Sequence, residues 1–511
     1  MMSSNEKSKN LRISPDLAAN LARIKVDFGL VNDLLVRKIT LQNVKKTQVA
    51  VIGIDGLVNA SDAQSFVIHL LSIDLSMIDE KLPRESEAIF DFLLNSRISM
   101  FDANECDTLV MLYDNLLNGH IIVLVDGATR AMMFDCKGWQ SRSVSVPMSE
   151  KSLWGPKDSF VETIRYNTAM LRRRIRDPRL RFEAHSVGRI SKTDIFVTYL
   201  EGLTNPEFVN LANARIKAID IDTILNAYDV IGLIQDQHYT VLPRLIETER
   251  PDRVAKALSE GQVAIFVDGS PYAILGPFYF TSAFSAIDDY YNHPVLATLK
   301  RLMRYLAFFA VILIPGFYVA LSTFHQAMIP TPLLITIINQ RSSNPFSTFV
   351  ETLIVIVLFE IIREASLRKP DAIGDSMTIV GSLIIGTTIV ESGLVSYAAI
   401  IIGSITTISS FLLSSSRINV AARLFMFVFL ITGATLGLYG IMLAFIILIT
   451  HLASLTSFNQ AYLAPMAPFN LSDQKDQLIK LPIQWMKERP KIFNPLDEVR
   501  AKTDENGGDQ A

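Results

Sequence analysis

Cysteine is almost absent. Cys106 and Cys136 are the only two among 511 residues, too few for a disulfide framework or a four-ligand metal site. Nucleotide signatures are missing too: no G-x-x-x-x-G-K-[ST] and no G-x-G-x-x-G occurs, so no phosphate loop is visible. The histidines ahead of Lys300 (His69, His120, His185, His238 and His293) stand apart, none at metal-ligand spacing from another. With no nucleophile–base pair and no metal set, the chain is not expected to be an enzyme or to hold a cofactor. A formal net charge of −3 offers nothing to a nucleic acid. The first residues, Met1 to Asn10, are polar with no apolar core behind them, so no cleavable signal is expected. The soluble region is accordingly expected on the cytoplasmic face.

Apolar residues are what the chain has in plenty. Half of it is hydrophobic and 19% charged, with a mean hydropathy of +0.30. Charges are frequent up to Arg304 and thin out from there to about Ser472. The reading is an α/β soluble region built from two duplicated subdomains, followed by an α-helical integral-membrane domain of four or five spans. The expected boundaries are a polar tail and leading helix (1–26), subdomain 1 (27–150), a basic linker helix (151–185), subdomain 2 (186–295), the transmembrane domain (296–451) and a hydrophilic tail (452–511).

Duplication rests on two matched pairs. K-T-Q-V-A-V-I-G-I-D-G-L (Lys46 to Leu57) recurs 146 residues on as K-T-D-I-F-V-T-Y-L-E-G-L (Lys192 to Leu203), each copy followed by a helical pattern. G-H-I-I-V-L-V-D-G (Gly119 to Gly127) recurs 142 residues on as G-Q-V-A-I-F-V-D-G (Gly261 to Gly269). Two pairs at nearly one spacing argue for a repeated unit, each with a buried strand, a helix and a hairpin turning at Asp-Gly. Asp55, Asp126 and Asp268 therefore read as turn residues rather than as metal or nucleotide ligands. Between the copies, Trp154 to Leu180 combines apolar Phe160, Ile164, Leu171 and Ile175 with basic Arg165, Arg172, Arg173, Arg174 and Arg176. That is a basic amphipathic helix, suited to anionic headgroups, to another subunit, or to the acids of the neighbouring subdomain.

In the membrane region, Lys300, Arg301 and Arg304 precede the apolar run Tyr305 to Leu321, which places the amino-terminal region inside. Leu333 to Ile338 is too short to cross. Phe349 to Ile362 carries Glu351 and Glu360; Ile373 to Val390 and Leu394 to Leu413 are clearer spans, and Leu424 to Thr450 is a long last one. Five spans result if Phe349 to Ile362 crosses, four if it only dips in. Charge bias favours five. Gly433, Gly437 and Gly440 permit close approach of a helix in lipid. A carboxylate closing an apolar run, as Glu391 does, either sits in water at a helix end or lines a polar cavity. From Lys487 onward the composition is that of a disordered segment.

From about Asp27 to Pro490 these motifs together resemble the A subunits of bacterial spore germinant receptors, the GerA family. W-G-P-K-D-S-F-V-E (Trp154 to Glu162) is similar to the family's R-G-P-K-x-x-F-V-E, with Arg172, Arg173 and Arg174 following. T-E-R-P-D (Thr248 to Asp252), D-D-Y-Y (Asp288 to Tyr291), F-E-I-I-R-E-A (Phe359 to Ala365), I-V-G-S-L-I-I-G (Ile379 to Gly386), V-E-S-G-L-V-S (Val390 to Ser396) and K-D-Q-L-I-K-L-P (Lys475 to Pro482) come in family order. The resemblance implies a multi-pass protein of the spore inner membrane that senses nutrients with a membrane-embedded B subunit and a lipoprotein C subunit. A homo-oligomer forming a gated ion channel is implied as well. Glu360, Glu364, Thr387, Thr388 and Glu391 are the candidate ion path, Arg165, Arg172, Arg173 and Arg174 the candidate subunit or lipid contacts. Ile356 and Ser342 stand where the family usually has acids. Two alternatives stay open: a sister membrane channel that amplifies ion release without sensing nutrient, and a secondary transporter.

Overall fold

The structure is a computed structural model that describes residues 11–29, 31–41, 47–72, 85–95, 103–138, 147, 150, 152–236, 239–342, 344–367 and 388–501. It divides into two units: Met1–Gln235, Leu245–Pro277 and Lys487–Ala511 form one, Asp236–Arg244 and Phe278–Met486 the other.

The first unit is α/β. Its amino-terminal lobe holds α1 (Leu17–Phe28), β1 (Leu34–Thr40), β2 (Gln48–Ile54), α2 (Ala60–Ser72), α3 (Glu85–Asn95), β3 (Ala103–Cys106), α4 (Leu109–Leu117), β4 (His120–Val125) and β5 (Ala131–Asp135). The second lobe holds α5 (Ile164–Arg174), β6 (Leu180–Val187), β7 (Thr193–Leu200), α6 (Pro206–Lys217), α7 (Ala227–Ile234), β8 (Ile246–Thr248), α8 (Pro251–Ser259), β9 (Val263–Val267) and β10 (Ala273–Gly276). The sheets run β1-β2-β4-β5-β3 and β6-β7-β9-β10-β8, the same order in each lobe, with every pairing antiparallel.

The strand cores read as unbroken apolar runs because both faces of the sheet are covered. Ala50, Ile52, Ile122 and Leu124 face α1 and α4. Their neighbours Val49, Val51, Ile121 and Val123 face Ile89, Phe90 and Leu93 of α3. Successive strand residues point to opposite faces, so covering both removes the usual apolar–polar alternation.

The Asp-Gly turns do one job twice. In the first lobe Asp126 Oδ1 accepts from the Leu17 N–H (3.2 Å) at the start of α1, and the Gly127 N–H donates to Pro15 O (2.8 Å). In the second, Asp268 Oδ1 accepts from the Ile164 N–H (3.0 Å) at the start of α5, and the Gly269 N–H donates to Glu162 O (2.8 Å). A carboxylate at a helix start satisfies an orphan donor and favours the dipole. The basic segment expected as a linker thus carries the leading helix of the second lobe, the counterpart of α1.

The second unit is helical: α9 (Pro294–Thr323), α10 (Thr331–Arg341), α11 (Thr348–Leu367), α12 (Tyr397–Phe411) and α13 (Ser416–Ser454). Among the described residues, α9 and α13 are long and apolar enough to cross a membrane by length and composition. The segment expected as one long last span, Leu424 to Thr450, breaks at Gly437, whose φ of 64° and ψ of −147° leave the helix. The chain folds back there. A Cβ on Gly440 would meet Thr432 O at 2.3 Å, eight residues earlier and a distance no continuous helix closes. The first arm touches Gly316 of α9 through Gly433, while Phe445 of the second arm returns to Phe309 (6.3 Å). Both ends of α13 accordingly lie beside residues 280–284: Ser414 Oγ donates to Ala283 O (2.8 Å), and the Phe280 N–H donates to Tyr462 O (2.9 Å).

Disorder was expected from Lys487, yet residues 487–501 pack on the α/β unit: the Leu496 N–H donates to Leu203 O (2.8 Å), Arg489 Nε to Ser259 O (3.0 Å) and Arg500 Nη2 to Glu260 Oε1 (3.0 Å). Residue-by-residue hydrophobicity could not foresee this, since the segment is mostly polar and only Pro490, Ile492, Phe493 and Pro495 of it are buried.

Candidate functional site

Three buried polar centres stand out. The first joins the lobes. Arg172 on α5 is fully buried and forks onto Asp33, Nε to Oδ2 at 2.7 Å and Nη2 to Oδ1 at 3.2 Å. Its guanidinium also lies 5.0 Å from the Phe182 ring centroid. Arg165 pairs with Asp55, the turn aspartate after β2. Beside it Gly56, at φ +80°, faces Ala169, whose Cβ would lie 2.8 Å from any added side-chain carbon. A residue other than glycine would meet both the left-handed backbone and α5. Arg174 pairs with Asp158 (2.5 Å), whereas Arg173 is exposed. Of the alternatives open to the basic helix, Arg165 and Arg172 take acids of the neighbouring lobe.

A second centre sits at the first turns of α9. Arg304 forks onto the fully buried Asp289, Nη1 to Oδ2 at 2.7 Å and Nη2 to Oδ1 at 3.0 Å, and Arg301 Nε reaches the same carboxylate at 3.2 Å. Arg301 continues to Asp476 (3.4 Å), which also takes Lys480 Nζ (3.2 Å). That ammonium lies 3.9 Å from the Tyr290 ring centroid. D-D-Y-Y and K-D-Q-L-I-K-L-P, nearly 190 residues apart, are thus two halves of one ion network.

The third centre lies inside the helical unit. Glu351, in the first turn of α11, is 0% exposed. Its Oε1 accepts from the Ser396 N–H at the start of α12, and Arg341 Nε stands 3.6 Å from its Oε2. The Asn344 amide, oriented to satisfy both its ends, donates to Gly393 O (2.8 Å) and accepts from Ser396 N (3.1 Å). Thr348 Oγ1 and Glu351 Oε2 are buried without a hydrogen bond, a costly state for polar groups. Below this centre α11 and α12 run side by side: a Cβ on Gly403 would meet Val355 (2.5 Å), and Arg363 Nη1 reaches Ser410 Oγ (3.4 Å).

The candidate path residues are split between the two ends of this helix pair. Glu360 is bound by Arg363 and by Arg423 Nη1 (2.7 Å), and Glu364 is exposed one turn on. Thr388 and Glu391 lie exposed on the helical turn before Gly393. Thr387 falls outside the described residues, as does most of Ile373 to Val390. Glu351, Asn344 and Arg341 were not among the candidates. The available signal was an acid within an apolar run, and that alone could not single out Glu351 from Glu360. As for the helix-packing glycines, a Cβ added to Gly433 would lie 2.6 Å from Gly316 O, so only glycine allows this approach, and Gly437 is the fold-back itself.

Burial pushes both cysteine thiols up to about 12, and among the described residues no group of three or more His, Cys, Asp or Glu side chains is placed to hold a metal ion.

Residues 22–492 match the family described as Bacillus/Clostridium GerA spore germination protein. The chain is 36% identical over 500 residues to spore germination protein KA of Bacillus subtilis (strain 168), covering 98% of this chain and 91% of that one. It is 33% identical over 491 residues to spore germination protein GerLA of Bacillus cereus, covering 96% and 98%. A crystal structure of the N-terminal domain of the A subunit of the Bacillus megaterium spore germinant receptor GerK3 is 29% identical and covers 53% of this chain and 98% of that chain, with a TM-score of 0.42. The chain belongs to the GerA family of spore germination proteins.

Proposed function

We propose that this chain is the A subunit of a nutrient germinant receptor in the spore inner membrane, forming with further copies of itself a gated ion channel. A receptor B subunit and a lipoprotein C subunit are its partners in this reading. The observation that carries it is the Glu351 centre: a fully buried carboxylate, a nearby guanidinium and an unpaired hydroxyl inside an apolar helical unit. Ionisable groups at such a place are expensive and mark ion or substrate pathways. The α/β unit contains both residues 245–277 and residues 487–501, which supports an even number of crossings in the stretch between them.

Ion release from spores tests the proposal. Glu351→Gln and Glu391→Ala are each expected to alter nutrient-triggered ion flux; wild-type flux in both removes these carboxylates from the path. Spores lacking the gene, challenged with single nutrients, separate a receptor from an amplifying channel: losing one nutrient response supports the receptor. The break at Gly437 favours one other reading, a secondary transporter with discontinuous helices, and substrate counterflow in vesicles without ion current would establish it.

A further inference from the structure

The tail between the last helix and the α/β unit was expected to be hydrophilic, and its sequence holds Asp473, Lys475, Asp476 and Lys480. The surface it presents is different. Asp473, Asp476 and Lys480 are buried, and of residues 463–485 the exposed ones are Met466, Ala467, Pro468, Phe469, Leu471, Lys475, Leu478, Ile479, Ile483, Gln484 and Trp485. Phe469 is 71% exposed, Leu471 71%, Ile483 72% and Trp485 66%. A segment that turns its acids inward and its large apolar groups outward is not shaped for water.

Its attachment identifies what covers it. Thr298 Oγ1, one turn into α9, donates to Lys480 O (3.4 Å) and accepts from the Lys480 N–H (3.0 Å), and Arg301 donates to Asp476. The segment is therefore fastened where the apolar outer face of α9 begins, with Leu296, Leu299, Leu302, Met303 and Leu306 exposed. Aromatic groups and lysines collect at the boundary between headgroups and acyl chains, and apolar groups on an interfacial element sink into it. We propose that residues 463–485 are a lipid-binding collar: Phe469, Leu471, Ile483 and Trp485 lie in the headgroup–acyl boundary of the bilayer, and Lys475 reaches its phosphates. The ion network around Arg301 holds this collar to the foot of α9. The proposal rests on α9 spanning the membrane.

The test uses the full chain in phosphatidylcholine–phosphatidylglycerol vesicles, with Trp139→Phe and Trp154→Phe leaving Trp485 as the only tryptophan. Lipids brominated near the headgroup are expected to quench Trp485 at least about twofold more than lipids brominated near the chain end, given the shallow seat of interfacial groups, and aqueous iodide is expected to quench it little. Full quenching by iodide with none by bromine overturns the collar. Protection from both overturns it too, because another protein copy then covers the surface. A second variant replaces all three tryptophans by phenylalanine and adds Leu306→Trp. Loss of bromine quenching there sinks the spanning reading, whereas its retention with an unquenched Trp485 sinks only the collar. Ile483→Asp is expected to weaken bromine quenching in the Trp485 protein and, introduced separately, to leave the Leu306→Trp protein quenched.

Discussion

Two buried charged groups, Asp33 in the α/β unit and Glu351 in the helical unit, are held in opposite styles. In the α/β unit Arg172 and Asp33 form a fork with both carboxylate oxygens engaged and an aromatic ring beside the guanidinium. In the helical unit Glu351 is just as buried, but one oxygen lacks a hydrogen bond and its cation stands 3.6 Å away. A complete pair is costly to break and specifies one arrangement. An incomplete one leaves polar capacity that a second arrangement, water or an ion can take up. The first style suits a scaffold, and the second suits the gated path proposed for the helical unit.

Breaking the scaffold pair gives the largest expected effect. Arg172→Ala leaves Asp33 buried without its partner, which costs about 3–5 kcal/mol. Pulse proteolysis of the full chain in detergent should show the α/β unit cleaved at a much lower denaturant concentration. Arg172→Lys keeps the charge but not the fork, and should fall short of full rescue. A stability equal to wild type in both would place this pair with ordinary surface pairs.

Gly437→Ala probes the other unit. Its φ of 64° disfavours any L side chain, and an added Cβ would lie 2.9 Å from His325 Cε1. Backbone strain of this kind costs on the order of 1–3 kcal/mol. The expected result is a lower melting temperature in detergent, with a larger loss for Gly437→Val. An unchanged Gly437→Ala protein would mean that the chain does not reverse there.

This fold-back shows where sequence reasoning met its limit. Leu424 to Thr450 is apolar throughout, and polarity is what normally announces a turn. The clue was length: 27 residues rise about 40 Å, against a hydrocarbon core of about 30 Å, and the glycines cluster in the middle. The duplicated lobes were legible because each must rebuild the same strand–turn–strand from local rules, and Asp-Gly marks the turn in both. The pairings Arg172–Asp33, Glu351–Ser396 and Arg301–Asp476 join residues 139, 45 and 175 positions apart. No periodicity reports such partners. For the same reason Glu391 drew attention, being at the edge of a clear apolar run, while Glu351 did not.

A finer comparison sets one lobe against the other. Asp126→Ala and Asp268→Ala each remove the carboxylate that accepts from the first turn of the leading helix. A lost cap costs about 0.5–2 kcal/mol, and the two losses should be similar if the repeats remain equivalent. Hydrogen exchange at residues 17–20 and 164–167 reads each cap separately. A large loss for Asp268 with none for Asp126 would mean that only the second lobe still depends on the shared device.

The smallest effect concerns acid. Burial alone would raise the Asp177 carboxyl, but hydrogen bonds from Arg179 and the charges of Arg179 and Arg172 outweigh it and hold the group below the usual carboxylate value of 3.8. A carboxylate depressed in the folded state contributes stability that is complete above its unfolded value and is lost as pH falls through the folded one. Asp177→Asn removes that contribution at neutral pH. The gap between wild type and variant should therefore be constant from about pH 7 to pH 5 and shrink below about pH 4. Denaturant midpoints across that range measure it. A gap that persists unchanged at the acid end would show that Asp177 acts through shape and hydrogen bonding rather than charge.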